Sequence, residues 1–341
     1  MYCDPHYSSF KLLWKSIVSR TYFNFRNITL TLSTGFFVYI LTNVDWNLFG
    51  LFVHKLDLTI LLLLVINFLV AMAFRSMRFS VSLPYGSRPS FKTIYKVAMR
   101  HNFYLSVLPA RLGELYYIKL LSFNLEIPKR YSILSIVTCR LYDVVIVCVL
   151  GLYTLYYALN VQDQTLPIVL SIVILVVILL LIFLRTIIAL LRGLIILCTR
   201  ILPRRFKKRV ADFASTQIPN LEHFSQVGHQ KLFVTSILIC VSMSFNYWLV
   251  LYMFGTNLSI FDVVFVFTII NLTNLLPVQT IGGFGLRESA LIFALISIGM
   301  EGDTATALAV ISRLILFFIS TVVSALFLAT KIDNKLPLPA N

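Results

Sequence analysis

Long apolar runs decide what this chain can fold into. Ile28–Val44, Leu56–Phe74, Tyr131–Leu159, Leu166–Leu184, Leu232–Phe254 and Ala305–Thr330 carry few charges. Such runs approach the ~20 residues that a helix needs to cross ~30 Å of hydrocarbon. Backbone in lipid must satisfy its own hydrogen bonds, which leaves helices or a closed barrel. A barrel would show ~10-residue segments of alternating polarity, and the sequence has none. The chain is therefore read as an all-α polytopic membrane protein. Hydrophobic residues make up 59% of its 341 positions, and its mean hydropathy is +0.88, more apolar than a soluble domain of this length.

Two further runs are broken in the middle. Thr93–Asn124 is interrupted by Pro109, and Phe261–Ile298 by Pro277 and by the glycines of Thr280–Ala290, "TIGGFGLRESA". At 1.5 Å per residue the return limbs Ala110–Asn124 and Leu286–Ile298 are only ~20 Å long, short for a full crossing. Both runs are read as re-entrant helical hairpins.

The net charge of +15 lies in the segments between apolar runs, not in a basic soluble domain, which argues against nucleic-acid binding. Lys11, Lys15, Arg20 and Arg26 precede the first run. A basic loop with Arg75, Arg78, Arg88, Lys92 and Lys96 follows the second. Residues 185–231 carry Arg192, Arg200, Arg204, Arg205, Lys207, Lys208 and Arg209, and the tail carries Lys331 and Lys335. The opposite segments, 45–57, 160–165, 255–259 and 301–303, hold one basic residue, Lys55. The positive-inside rule then places both termini and residues 185–231 in the cytoplasm, with the chain in a plasma (inner) membrane. Six spanning helices plus two re-entrant hairpins account for this charge pattern.

The order is span, span, hairpin, span, repeated once with opposite starting side: an inverted-topology repeat, the plan of many secondary transporters. Repeat one covers residues 27–159 and repeat two 166–330, with the cytoplasmic insertion 185–231 inside the second. Residues 1–26 form a cytoplasmic segment in which Phe10, Leu13, Trp14 and Ile17 repeat at helical spacing, as in a helix lying on the membrane surface. Residues 331–341 are a cytoplasmic tail. Pro109-Ala-Arg-Leu-Gly-Glu114 turns the first hairpin and Gly283-Phe-Gly-Leu-Arg-Glu288 the second; Cys139-Arg140-Leu141 and Ser312-Arg313-Leu314 follow at nearly equal distances.

Seven charged residues fall at membrane depth: Arg111, Glu114, Arg140, Asp143, Arg287, Glu288 and Arg313. Each costs at least ~2.5 kcal/mol at the bilayer centre, so each should face protein or a wet cavity. On one reading they pair with one another, Arg287 with Glu288 and Arg111 with Glu114, and pin the hairpins. On the other they line a path for a charged substrate. Four arginines against three carboxylates favour the second reading and an anionic ligand. Each return limb also starts near mid-membrane, where a helix N-terminus presents free N–H groups and partial positive charge. Gly283 and Gly285 would let that backbone approach a ligand; close helix packing is the alternative use for them. The candidate substrate-binding set is therefore Arg111, Glu114, Arg140, Asp143, Gly283, Gly285, Arg287, Glu288 and Arg313.

Other constellations are plainer. The five cysteines are scattered and mostly apolar in context, without a disulfide framework. His223 and His229 have unsuitable spacing for a metal pair, and His101, on the first hairpin, is read either as cavity lining or as a polar packing residue. No phosphate-binding loop, nucleophile elbow or metal-ligand pair is present, so no catalytic residue, metal or cofactor is expected.

"LPARLGELYYIKLL" (Leu108–Leu121), "CRLYD" (Cys139–Asp143), "LPVQTIGGFGLRESAL" (Leu276–Leu291) and "SRL" (Ser312–Leu314), in that order, resemble the lysylphosphatidylglycerol synthase transmembrane region, or flippase-like domain, family over roughly residues 25–330. The resemblance implies a module that moves or handles membrane lipids, including aminoacylated phospholipids and polyprenyl-linked lipids. Some members are fused to a soluble aminoacyl transferase domain, which this sequence does not contain. The expected function is a lipid translocator that handles an anionic, phosphate-bearing head group. The alternatives are a membrane-embedded transferase acting on a lipid-linked phosphate, and a non-catalytic partner of a separately encoded lipid-modifying enzyme.

Overall fold

The computed structural model describes residues 42, 44–84, 88–108, 112–158, 228–273 and 284–332. The described residues are helical throughout, with no strand among them. In chain order the helices are α1 (Trp46–His54), α2 (Leu58–Ser82), α3 (Phe91–Val107), α4 (Leu112–Lys119), α5 (Lys129–Ala158), α6 (His229–Met253), α7 (Ile260–Thr273), α8 (Leu286–Ser297) and α9 (Gly302–Ala325). A π-helical turn, Leu120–Asn124, extends α4. The expected runs at 28–44 and 166–184 lie outside the described residues, as do the N-terminal segment, most of the insertion and most of the tail.

Four described helices are long and apolar enough to cross a membrane: Leu58–Ser82, Lys129–Gly151, His229–Met253 and Gly302–Ala325. Their outer faces are lipid-compatible at helical spacing. On α2, Leu58, Leu62, Ile66, Val70 and Met77 are exposed; on α5, Ile133, Val137, Leu141 and Val144; on α9, Phe318, Val322 and Leu326. Apolar side chains that would be costly in water are stable when hydrocarbon is the solvent.

Local signals set the helix starts. Asp45 accepts from the N–H groups of Asn47 (2.8 Å) and Leu48 (3.3 Å), and so caps α1. Asp57 caps α2 through the Thr59 N–H at 2.7 Å, and Ser90 caps α3 through that of Thr93 at 3.3 Å. Ser259 and Asp262 bond reciprocally ahead of α7, with Ser259 N–H donating to the Asp262 carboxylate at 2.9 Å. Each cap satisfies N–H groups that the helix itself leaves unpaired.

The second helix corrects the expected basic loop. The apolar run does not end at Phe74: α2 continues to Ser82, so Arg75 and Arg78 are helical residues. The buried stripe Leu64, Phe68, Met72, Phe79, Ser82 has a period close to 3.6, and Arg75 and Arg78 lie on that same face. Lys92 and Lys96 likewise belong to α3, leaving residues 83–90 as the connection.

Packing exchanges the two halves. α2 packs on α6; α3 packs on α9 as α7 packs on α5; α4 touches α5 as α8 touches α9; α2 meets α3 and α5 as α6 meets α7 and α9. α3 lies on α4, and α7 on α8. Two apolar clusters result. One joins Leu64, Leu249, Phe265, Leu291, Leu295 and Leu308 across α2 and α6 to α9. The other joins Phe79, Ile94, Val97, Tyr117, Leu121 and Cys139 across α2 to α5. The α2–α6 seam carries a polar link, Asn67 Nδ2 donating to Asn246 Oδ1 at 2.9 Å and to the Ser242 carbonyl at 2.7 Å.

Two glycines are required by geometry. A Cβ on Gly113 would lie 2.5 Å from the Leu105 backbone nitrogen and 2.7 Å from its Cα, so α3 and α4 touch backbone to backbone. Gly285, just ahead of α8, has φ 87° and ψ −62°, where L side chains are strained. Gly113→Ala is expected to cost about 1–3 kcal/mol by forcing the limbs apart, seen as a lowered apparent Tm of the detergent-solubilised protein. Gly302→Ala, whose Cβ would meet nothing within 4 Å, should leave the Tm unchanged. Gly285→Val should cost about 1–3 kcal/mol of backbone strain; an unaltered melting curve would show that this turn relaxes freely.

Candidate functional site

Between the two apolar clusters lies a cavity of about 260 Å³. Every helix from α2 to α9 contributes to its wall. Its charged lining is Arg75 and Arg78 from α2, Glu114 from α4, Arg140 and Asp143 from α5, Arg287 from α8 and Arg313 from α9. The cavity thus gathers five of the candidate residues and adds two arginines from the segment first read as a loop. Glu288 is 2% exposed and sits behind Arg313. Gly285 stands two residues before Arg287, at the start of α8. Arg111 and Gly283 lie outside the described residues.

Among the described ion pairs, each glutamate meets an arginine of another helix. Glu114 accepts two hydrogen bonds from Arg140, at 2.6 Å from NH2 and 3.0 Å from Nε. Arg140 also faces Asp143 at 3.7 Å, one helical turn away. Asp143 in turn binds Arg78 of α2 through both carboxylate oxygens, and Arg78 reaches the Ser236 hydroxyl at 3.3 Å. In the second half Arg313 Nε stands 3.5 Å from Glu288 Oε1. The Arg313 guanidinium also lies over the rings of Phe284 (5.3 Å) and Phe317 (6.0 Å). In both halves a glutamate in the first turn of a return limb pairs with an arginine of the following span. The expected Arg111–Glu114 pair lies outside the described residues. Each glutamate also lies where its helix dipole favours negative charge.

Two side chains that sequence reasoning left aside or undecided complete the wall. Arg75 donates to Asn102 Oδ1 at 3.0 Å, and Asn102 Nδ2 donates to Ser324 Oγ at 3.0 Å, a relay from α2 through α3 to α9. His101, 4% exposed, packs between the rings of Phe79 and Tyr117 at 5.5 and 5.1 Å. Neither of its ring nitrogens has a hydrogen-bond partner among the described residues.

The arrangement holds charge in a low-dielectric setting. Five arginines face two carboxylates on the wall, and Glu288 behind it makes a third. Among the described residues two positive charges remain in excess there. The described residues contain no group of three or more histidine, cysteine, aspartate or glutamate side chains that could hold a metal ion.

Comparison with curated proteins and with solved structures gave no match. The family model for the lysylphosphatidylglycerol synthase TM region matches residues 27–324, a span that contains all eight helices of the cavity wall and nearly the whole chain. This polytopic helical membrane protein belongs to the lysylphosphatidylglycerol synthase TM region family.

Proposed function

We propose that the chain is a lipid translocator whose central cavity receives an anionic, phosphate-bearing head group. The observation that carries this reading is the excess of two positive charges on and just behind a cavity built by both halves. Burying an unbalanced charge is costly, and a ligand anion offsets that cost while it is bound. The family supports a lipid-related role in the membrane. Exchange-symmetric packing and the paired glutamate–arginine contacts support an inverted repeat, with the cavity exposed to each side in turn as the halves rock. The wall offers arginines and helix N-termini to bind an anion, while Glu114 and Asp143, the carboxylates on it, are both committed to arginines.

Reconstitution into vesicles with a labelled anionic phospholipid tests this. Movement of the label between leaflets with unchanged lipid chemistry supports translocation; a chemically altered lipid supports a transferase instead. Absence of both would point to a non-catalytic partner of a lipid-modifying enzyme.

Neutral isosteres separate ligand binding from charge pairing. Arg140→Met with Glu114→Gln, and Arg313→Met with Glu288→Gln, leave neither partner of a pair as a lone buried charge. Both proteins are expected to fold, because an apolar replacement for a buried ion pair is often tolerated. Lipid movement should fall roughly tenfold to a hundredfold, the value of one charged hydrogen bond to the substrate. Wild-type transport in either double variant would assign that pair to structure alone.

For orientation, both termini and residues 185–231 are cytoplasmic in a plasma membrane. In intact cells a single cysteine at Gln162 should be labelled by an impermeant reagent and one at Lys207 should not. The reverse pattern would invert the topology.

A further inference from the structure

The cavity wall is not evenly equipped. α6, which takes the place of α2 when the halves exchange, lends Ser236, Cys240, Met243, Asn246 and Tyr247 to the wall and no charge. Its counterpart α2 lends Arg75 and Arg78. Arg78, Arg140 and Arg313 each face a carboxylate. Arg75 is held by a neutral amide, and the Asn102–Ser324 relay behind that amide fixes its orientation. A guanidinium has five N–H donors, and the amide oxygen occupies one of its terminal nitrogens.

The residue before Asn102 on α3 is His101. Its imidazole lines the same cavity with both nitrogens unpartnered among the described residues. Buried polar atoms are normally hydrogen-bonded, and leaving one without a partner costs about 1–3 kcal/mol. Aromatic contacts with Phe79 and Tyr117 fill the ring's sides and satisfy neither nitrogen. A directed donor and an unpaired ring nitrogen on the wall of one cavity make an arrangement that an oxyanion completes.

We infer that Arg75 and His101 form the phosphate subsite of the cavity, with the guanidinium and an imidazole N–H donating to oxygens of one phosphate ester. The inference rests on the translocator reading and adds to it where in the cavity the phosphate sits: between α2 and α3. The shared chemistry is a phosphate ester, which a lipid or a soluble ester could supply.

Binding to the full-length protein in neutral detergent micelles is the test, with phosphatidylglycerol, free glycerol phosphate and diacylglycerol as probes. The wild type is expected to bind phosphatidylglycerol and not diacylglycerol. His101→Phe keeps a flat ring between Phe79 and Tyr117 and removes both nitrogens; it should fold with an unchanged or raised Tm and lose about tenfold in affinity for phosphatidylglycerol. Arg75→Gln, which keeps an amide donor near Asn102, should lose at least as much. Two groups on one phosphate lose their ligand together, so the double variant should be only slightly weaker than the worse single one. Wild-type affinity in His101→Phe overturns the subsite while leaving the cavity reading intact. Strictly additive losses overturn the shared phosphate. A lowered Tm in His101→Phe with unaltered affinity of the remaining folded protein makes His101 a packing residue and also overturns the subsite. Equal affinity for free glycerol phosphate keeps the subsite and overturns its assignment to a lipid. A wild type that binds none of the probes overturns both the subsite and the anion-binding cavity.

Discussion

The cost of carrying charge into hydrocarbon shapes this molecule. An ionised side chain at mid-membrane is tolerated only against protein, a counter-charge or water. All the charged residues of the cavity wall obey that condition by converging on one place, and the helices around it are arranged to make the convergence possible. First-turn Glu114 and Glu288 of two shorter helices meet Arg140 and Arg313 of two longer ones. Three full-length helices, α2, α5 and α9, bring their arginines inward while their opposite faces stay greasy. The apolar clusters then seal either side of the charged centre.

The two halves solve this problem with different stringency. In the first, Arg140 grips Glu114 with two hydrogen bonds, and Asp143 links that pair to Arg78. In the second, Arg313 and Glu288 meet at 3.5 Å, with aromatic rings against the guanidinium. Breaking the network of the first half would strand several charges at once.

Much of this was legible in the residues. For most described helices run length gave ends within a few residues of those observed, because in lipid the hydrophobic pattern and backbone satisfaction point the same way; α2 runs on past Phe74, and α1 falls in a segment read as a connection. Arg75 and Arg78 were misplaced because a charge after an apolar run was read as a loop. The period of the buried stripe, continued from Leu64 and Phe68 through Met72 to Phe79 and Ser82, is the signal that places them on the helix. Pairing was less accessible. Glu114 and Arg140 are partners because α4 crosses α5, and no local spacing encodes that. Gly113 gave no local signal for the same reason: the Leu105 backbone that forbids a side chain there belongs to another helix.

The seam between α2 and α6 has a consequence of its own. Most of the described helix contacts have a counterpart in the other half, whereas the α2–α6 contact matches itself. Asn67, bonded to Asn246 and to the Ser242 carbonyl, therefore sits where the molecule is its own mirror. In the proposed translocator, a change at such a locus would weigh equally on an arrangement and on its exchanged twin, leaving their relative populations untouched and altering only the height of the pass between them. The seam would then be a fulcrum for the rate of exchange, and the asymmetric charges on either side would set the preferred arrangement.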